Sequence, residues 1–197
     1  MDITSYLLGK NSSGGSGADL SEYFTNTISD GTTNKPGYAN MIKNIPSTTT
    51  VSGNSLNYAF DSIKGTTVPL LDTSNVVYME YMFQNCVNLI SIPLFDTSKV
   101  KDMRYMCNGC TNLKNVPLLK TSSLSGTNAF NSVFNGCLSL TDESLDNILQ
   151  MCINATLYSN TKTLARLGLS SSDYPTSRIQ ALPHYQDFIN AGWTIGY

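Results

Sequence analysis

The sequence predicts an α/β solenoid: a short stack of similar repeats, closed by a helical C-terminal cap and preceded by an extended N-terminal peptide. Three observations predict it. First, LDTSNVVYMEYMFQNCVNLISIPL at 71–94 is followed at once by FDTSKVKDMRYMCNGCTNLKNVPL at 95–118. Asp72 answers Asp96, Tyr81 answers Tyr105, Cys86 answers Cys110 and Leu89 answers Leu113, each 24 residues on. A fixed period in that range marks units that each cover the apolar face of the next. Second, prolines fall at 46, 69, 93 and 117, in steps of 23, 24 and 24, so four units are visible and the first two are degenerate. Third, the apolar spacing inside a unit switches between two periods.

The switch separates two predicted elements. Val100, Met103, Met106, Cys107 and Cys110 recur every three or four residues, the spacing of one face of a short helix. Asp96, Thr97 and Ser98 before them can cap its free N–H groups. Leu113, Val116 and Leu118 then follow the L-x-x-L-x-L form of a leucine-rich-repeat strand. Pro117 removes one ladder donor, so it belongs where the strand leaves the sheet or faces no neighbour.

In chain order, residues 1–17 read as an anchor peptide and linker. Ile3, Tyr6, Leu7 and Leu8 are its adhesive side chains, and NSSGGSG at 11–17 is a flexible tether. The peptide reads either as a docking element or as a frayed terminus. Residues 18–140 hold an N-terminal cap, with DLSEYFTNTI at 19–28 as its helix or strand, and then the repeats. The third unit starts on time at Thr121-Ser122, but Cys137 follows Cys110 by 27, which implies a three-residue insertion around Ser125, Gly126 and Thr127. Residues 141–197 form an enlarged last repeat and cap. Thr141 is a good N-cap for an amphipathic helix carrying Leu145, Ile148, Leu149, Cys152 and Ile153. Leu164, Leu167 and Leu169 restore the strand signature. Pro183 opens a last helix with Tyr185, Phe188 and Ile189 on its apolar face, and Gly192 closes it. Trp193, Ile195 and Tyr197 seal the end.

Composition narrows the function. Charged residues make up 13% of the 197 positions, about half the roughly 25% usual in soluble domains. The polar surface is therefore Asn, Ser, Thr and Gly, a trait of extracellular or virion-like proteins. Twelve basic and fourteen acidic residues, with no basic patch, argue against a nucleic-acid partner. No apolar run approaches the roughly 18 residues that span a bilayer. MDITSYLLGK has an acidic second residue and a short apolar patch, so no secretory signal is expected there.

The M-x-x-M-F-x-x-C-x-x-L-x-x-I-P string, introduced by F-D-T-S-x-V, resembles the BspA-like leucine-rich repeats, the surface-protein repeats of mycoplasma lipoproteins. The resemblance is specific over 71–118, fair over 42–70 and 119–140, and absent from the first 20 residues. It implies a binding role, since members are mostly bacterial surface proteins that hold host or matrix components. Family surface proteins carry an export signal, and this chain departs from them there. The apolar tip, the glycine linker, the short array and the DFINAGWTIGY ending also look like proteins encoded by phages and prophages of gut bacteria. That second resemblance implies a tail, baseplate or head-fibre component, assembled inside the cell without export.

Candidate chemistry is sparse. Cys107 and Cys110 form a C-x-x-C, which could be a redox pair or half a zinc site. The repeat gives another reading, because Cys107 takes the slot of Phe83 and Phe134, while Cys86, Cys110 and Cys137 share the next slot as a buried ladder. His184 is the one histidine and lacks a nucleophile motif around it. No catalytic, cofactor or metal residue is expected. Tyr78, Tyr81, Arg104 and Tyr105 are the candidate contact patch, tyrosine and arginine being favoured at interfaces. Tyr81 and Tyr105 equally suit packing between successive repeats. Ser91, Asn115 and Thr67 flank the strand core positions, on a face that solenoids use for binding.

The expected function is a non-enzymatic virion protein, attached to other virion proteins through residues 1–10 and displaying the repeats towards a host surface protein or glycan. A symmetric homo-oligomer is expected. The alternative is a bacterial cell-surface adhesin.

Overall fold

The computed structural model describes residues 54–63, 65–157 and 162–196. The anchor peptide, the linker, the expected cap at 19–28, the unit around Pro46 and Tyr197 lie outside them.

From 54 to 140 the described backbone forms neither a helix nor a continuous strand. Each unit instead runs through overlapping four-residue turns. Met82 N–H donates to the Met79 carbonyl at 3.4 Å, Gln84 to Tyr81 at 3.1 Å and Cys86 to Phe83 at 3.2 Å. The intervening N–H groups leave the unit. Met79 donates to Asp102 O at 2.9 Å, Tyr81 to Arg104 O at 3.1 Å, Phe83 to Met106 O at 2.8 Å and Asn85 to Asn108 O at 2.7 Å. The same alternation joins 56–62 to the carbonyls of 78–84, and 103–109 to those of 129–135. Ser132 and Phe134 carry it on to Arg166 and Leu167.

The short helix expected over 100–110 is therefore absent, although the burial expected of it is present. Val100, Met103, Met106, Cys107 and Cys110 are at most 1% exposed. A helix directs each N–H to its own i−4 carbonyl and leaves none for a neighbour. Tandem turns bury side chains at the same three-and-four spacing and release every second N–H. The turns need a left-handed residue every fourth position. Tyr58 and Ser62, Tyr81 and Asn85, Tyr105 and Gly109, and Ser132 and Gly136 all have φ between 54° and 78°. At the third residue of a turn that is the type II requirement.

The other half of each unit returns through single parallel bridges, such as Ser91 to Asn115, rather than a strand. This corrects the L-x-x-L-x-L register. Leu118 is 39% exposed, Leu94 63% and Leu70 45%, whereas Leu119, Phe95 and Leu71 are buried. The inward set is Leu113, Val116 and Leu119, spaced by three, because without a sustained strand the two-residue alternation has nothing to enforce it. Buried Thr73 and Thr97 tie this half together, donating Oγ1–H to the carbonyls of Asp96 and Lys120 at 2.9 and 2.8 Å. Thr121 does the same to Met151 at 2.6 Å. Asp72 and Asp96 accept from the N–H of Ser74 and Ser98, local turns rather than helix caps. The insertion bulges out, with Ser125, Gly126 and Thr127 exposed, and the ladder resumes at Ala129.

Helices begin after Leu140. α1 (Asp142–Asn154) is capped by Thr141, whose side chain accepts from Ser144 N–H, and buries Leu145, Ile148, Leu149, Met151 and Cys152. Ile153 is only half-buried. Leu164, Leu167 and Leu169 are buried, but in a 3-10 turn (Ala165–Leu167) and not a strand. α2 (Thr176–Gln180), which the pattern did not predict, and α3 (Tyr185–Asn190) complete the cap, and α3 packs on both α1 and α2. Gly192, at φ 82°, closes α3 by donating to Ile189 O. Trp193 behind it is buried, with an indole N–H that has no partner among the described residues.

Candidate functional site

Two outward columns of the turn ribbon carry the candidate residues. Side chains 79, 82, 83 and 86 point into the core, so their neighbours 80, 81, 84 and 85 face out. One column reads Asn57, Glu80, Arg104 and Asn131; the next reads Tyr58, Tyr81, Tyr105 and Ser132. Units bonded edge to edge lie roughly 4.8 Å apart, which is also the stacking distance of aromatic rings. The tyrosines stack accordingly. Tyr58 and Tyr81 have ring centroids 4.7 Å apart at 3°, and Tyr81 and Tyr105 4.8 Å apart at 6°. Tyr81 and Tyr105 thus pack between successive repeats, and they stay partly exposed.

Each of these tyrosines has a left-handed backbone, uncommon for a bulky side chain. Burial first, then the neighbouring phenol, raises the pKa of Tyr58 and Tyr81 above the usual tyrosine value. The hydroxyls therefore stay neutral and serve as both donors and acceptors. Tyr78 stands one column away, 39% exposed, its backbone bridged to Ser55 on one side and Asp102 on the other. Arg104 is held from beneath. Its Nε lies 2.8 Å from Asp102 Oδ2 and 3.5 Å from Glu80, its Nη2 also contacts Asp102, and its backbone N–H donates to Asp102 Oδ1. The hydrogen bond to Asp102 raises the pKa of the guanidinium. Its charge is largely answered within the patch, and it acts as a fixed planar donor.

The structure thus brings Tyr81, Arg104 and Tyr105 together with Tyr78 at the edge. Tyr58, Asp102 and Ser132 were missed. Tyr58 was within reach of the pattern, since it precedes Tyr81 by 23 residues as Pro46 precedes Pro69. Ile3, Tyr6, Leu7 and Leu8 lie outside the described residues. Ser91 is half-buried, while Thr67 and Asn115 are exposed.

The other candidates are part of the framework. All five cysteines are free and buried. Cys86, Cys110 and Cys137 donate S–H to the carbonyls of Phe60, Phe83 and Cys107 at 2.9, 3.1 and 3.2 Å, one per unit. The neighbouring Cys110 thiol and then burial raise the Cys86 thiol, and burial raises Cys137 and Cys152. No group of three or more potential metal ligands occurs among the described residues. His184 Nδ1 lies 2.7 Å from Asp146 Oδ2, and its backbone N–H donates to Asp146 Oδ1 at 2.9 Å, pinning the start of α3 to α1. No helix among the described residues is long and apolar enough to cross a membrane.

Searches of curated proteins and of solved structures returned no match. Residues 39–164, more than half of the chain, match a family described as mycoplasma protein of unknown function. The match spans every repeat of the tyrosine column and runs through α1, so this chain belongs to the DUF285 family.

Proposed function

We propose that this protein is a non-enzymatic binding module, a short leucine-rich-repeat solenoid that presents the tyrosine face to a surface partner. One observation carries the reading. Three tyrosines occupy left-handed positions that Asn or Gly would fill with less strain, and they sit in one partly exposed column. Backbone strain of this kind concentrates at functional sites. Neutral phenols beside Asn57, Gln84, Asn108 and Asn131 make a low-charge, hydrogen-bonding aromatic surface, the composition that suits adaptable recognition.

The module sits on a virion, in this reading, with Ile3, Tyr6, Leu7 and Leu8 docking into other virion proteins. The support is the resemblance of the apolar tip, the linker and the C-terminal sequence to phage proteins. The resemblance of 71–118 to surface-protein repeats supports a second placement, on a bacterial cell surface. Mass spectrometry of purified phage particles against the washed host envelope separates the two. Enrichment in particles, lost on deleting residues 1–10, supports the virion; enrichment in the envelope overturns it.

A further inference from the structure

The tyrosine column stops one rung early. Ser132 has the same left-handed φ, 54°, and its rung is bonded like the others, with Tyr105 N–H donating to Asn131 O at 3.0 Å. It carries no ring. Tyr105 therefore stacks on Tyr81 alone, and among the described residues neither a ring nor a cation lies over its other face. The polar groups on this rung differ from those before it. Asn131 and Ser132 make no side-chain hydrogen bond among the described residues. Arg166, whose carbonyl accepts from Ser132 N–H at 2.6 Å, turns its Nη2 to Asn128 Oδ1 at 3.0 Å. Arg104 has two carboxylates beside it, whereas Arg166 has none among the described residues. A small open pocket lined by Thr127, Phe130, Asn131 and Arg166 adjoins the step.

We propose that the open face of Tyr105, with Asn131, Ser132 and Arg166, is a subsite for an acidic sugar ring of a surface glycan. The inference rests on the binding-module reading and names its ligand class. A pyranose has a face of C–H groups that suits the electron-rich face of a phenol. Its rim of hydroxyls answers the amide and hydroxyl that no described residue pairs, and a ring carboxylate answers the guanidinium. An aromatic side chain from a protein partner fills the ring space but leaves those polar groups unpaired, which costs affinity.

The test is two-dimensional NMR titration of the full chain with glucuronate, glucose and p-cresol, beside binding of the labelled protein to host envelope. Glucuronate is expected to shift the amides of Asn131, Ser132 and Arg166, with glucose weaker. Arg166→Gln is expected to bring glucuronate down to the level of glucose. Ser132→Tyr, which supplies the missing ring at a φ that three tyrosines already adopt, is expected to keep the melting temperature and weaken glucuronate about tenfold or more. Unchanged glucuronate binding in Ser132→Tyr, or p-cresol binding there in place of both sugars, overturns the subsite. If that happens while the wild type still binds envelope and Tyr81→Ala does not, the binding face stands and only the sugar is wrong. If the wild type binds neither sugar nor envelope, both fail.

Discussion

The repeats at 54–140 and the cap at 141–196 use the same apolar spacing and fold differently. In 100–110, side chains three and four apart are buried by a ribbon of turns that shares its N–H groups with the next unit. In α1 the same spacing gives an ordinary helix capped by Thr141. One local difference lies in what occupies the positions between. The ribbon has Asn85, Gly109 and Gly136 at one left-handed column, residues that tolerate that conformation, and α1 has no glycine in DESLDNILQMCIN. Stability in the repeats is then a property of neighbours, while the cap holds itself through α1, α2 and α3.

The seam between the two regions is the place to break this comparison hardest. Gly168 has φ 86°, and a Cβ there would come within 2.4 Å of the Asn135 backbone. Gly168→Ala is expected to cost about 3 kcal/mol or more, read as a lower urea midpoint, because neither backbone can yield. A neutral result would show that the cap floats free of the last repeat.

Tyr174 is the second tie. Its hydroxyl donates to Cys137 O at 2.6 Å and accepts from Leu140 N–H at 3.0 Å. Tyr174→Phe leaves both groups buried without that partner and is expected to cost about 2 kcal/mol. Burial pushes the pKa of this phenol up to about 12 from 10.0. A raised folded-state value means stability that is whole below pH 10 and drains as pH rises towards 12. Melting temperature against pH should fall over that window in the wild type and fall less steeply in Tyr174→Phe.

Smaller effects sharpen the contrast within each region. Thr97→Val removes a hydroxyl from the Lys120 carbonyl and is expected to cost about 1–2 kcal/mol, with faster amide exchange in both adjoining units. Thr141→Ala removes a helix cap, for about 1 kcal/mol, and its exchange effect should stay within α1. Spread of the second effect into the repeats would erase the distinction. Tyr81→Asn trades two ring contacts for a residue at ease with positive φ, so stability is expected to change by less than about 1 kcal/mol. Envelope binding is expected to be lost all the same. Retained binding would mean that the tyrosines are framework only.

Much of the burial was legible beforehand. Cys107 standing in a phenylalanine slot, the cysteine column, Thr141 as a cap and the bulge at 125–127 all follow from aligning one unit with the next. The helix at 100–110 and the inward place of Leu118 did not follow. Both were read from spacing within a single unit, and spacing says nothing of where the N–H groups go. For the candidate site, Tyr81, Arg104 and Tyr105 were visible as residues, but their stacking was not, and Tyr58 was within reach of the 23-residue step without being singled out.

By itself, then, the sequence determines the repeat length, most of the side chains each unit buries and the start of α1, because these are periodic or local. Tertiary structure decides the rest. A run with apolar residues at three and four can close as a helix or as tandem turns, and the choice falls to the turns when the next unit of the chain lies roughly 4.8 Å away with carbonyls to accept the released N–H groups. The same distance stacks Tyr58, Tyr81 and Tyr105, and among the described residues no ring lies over the far face of Tyr105, above Ser132.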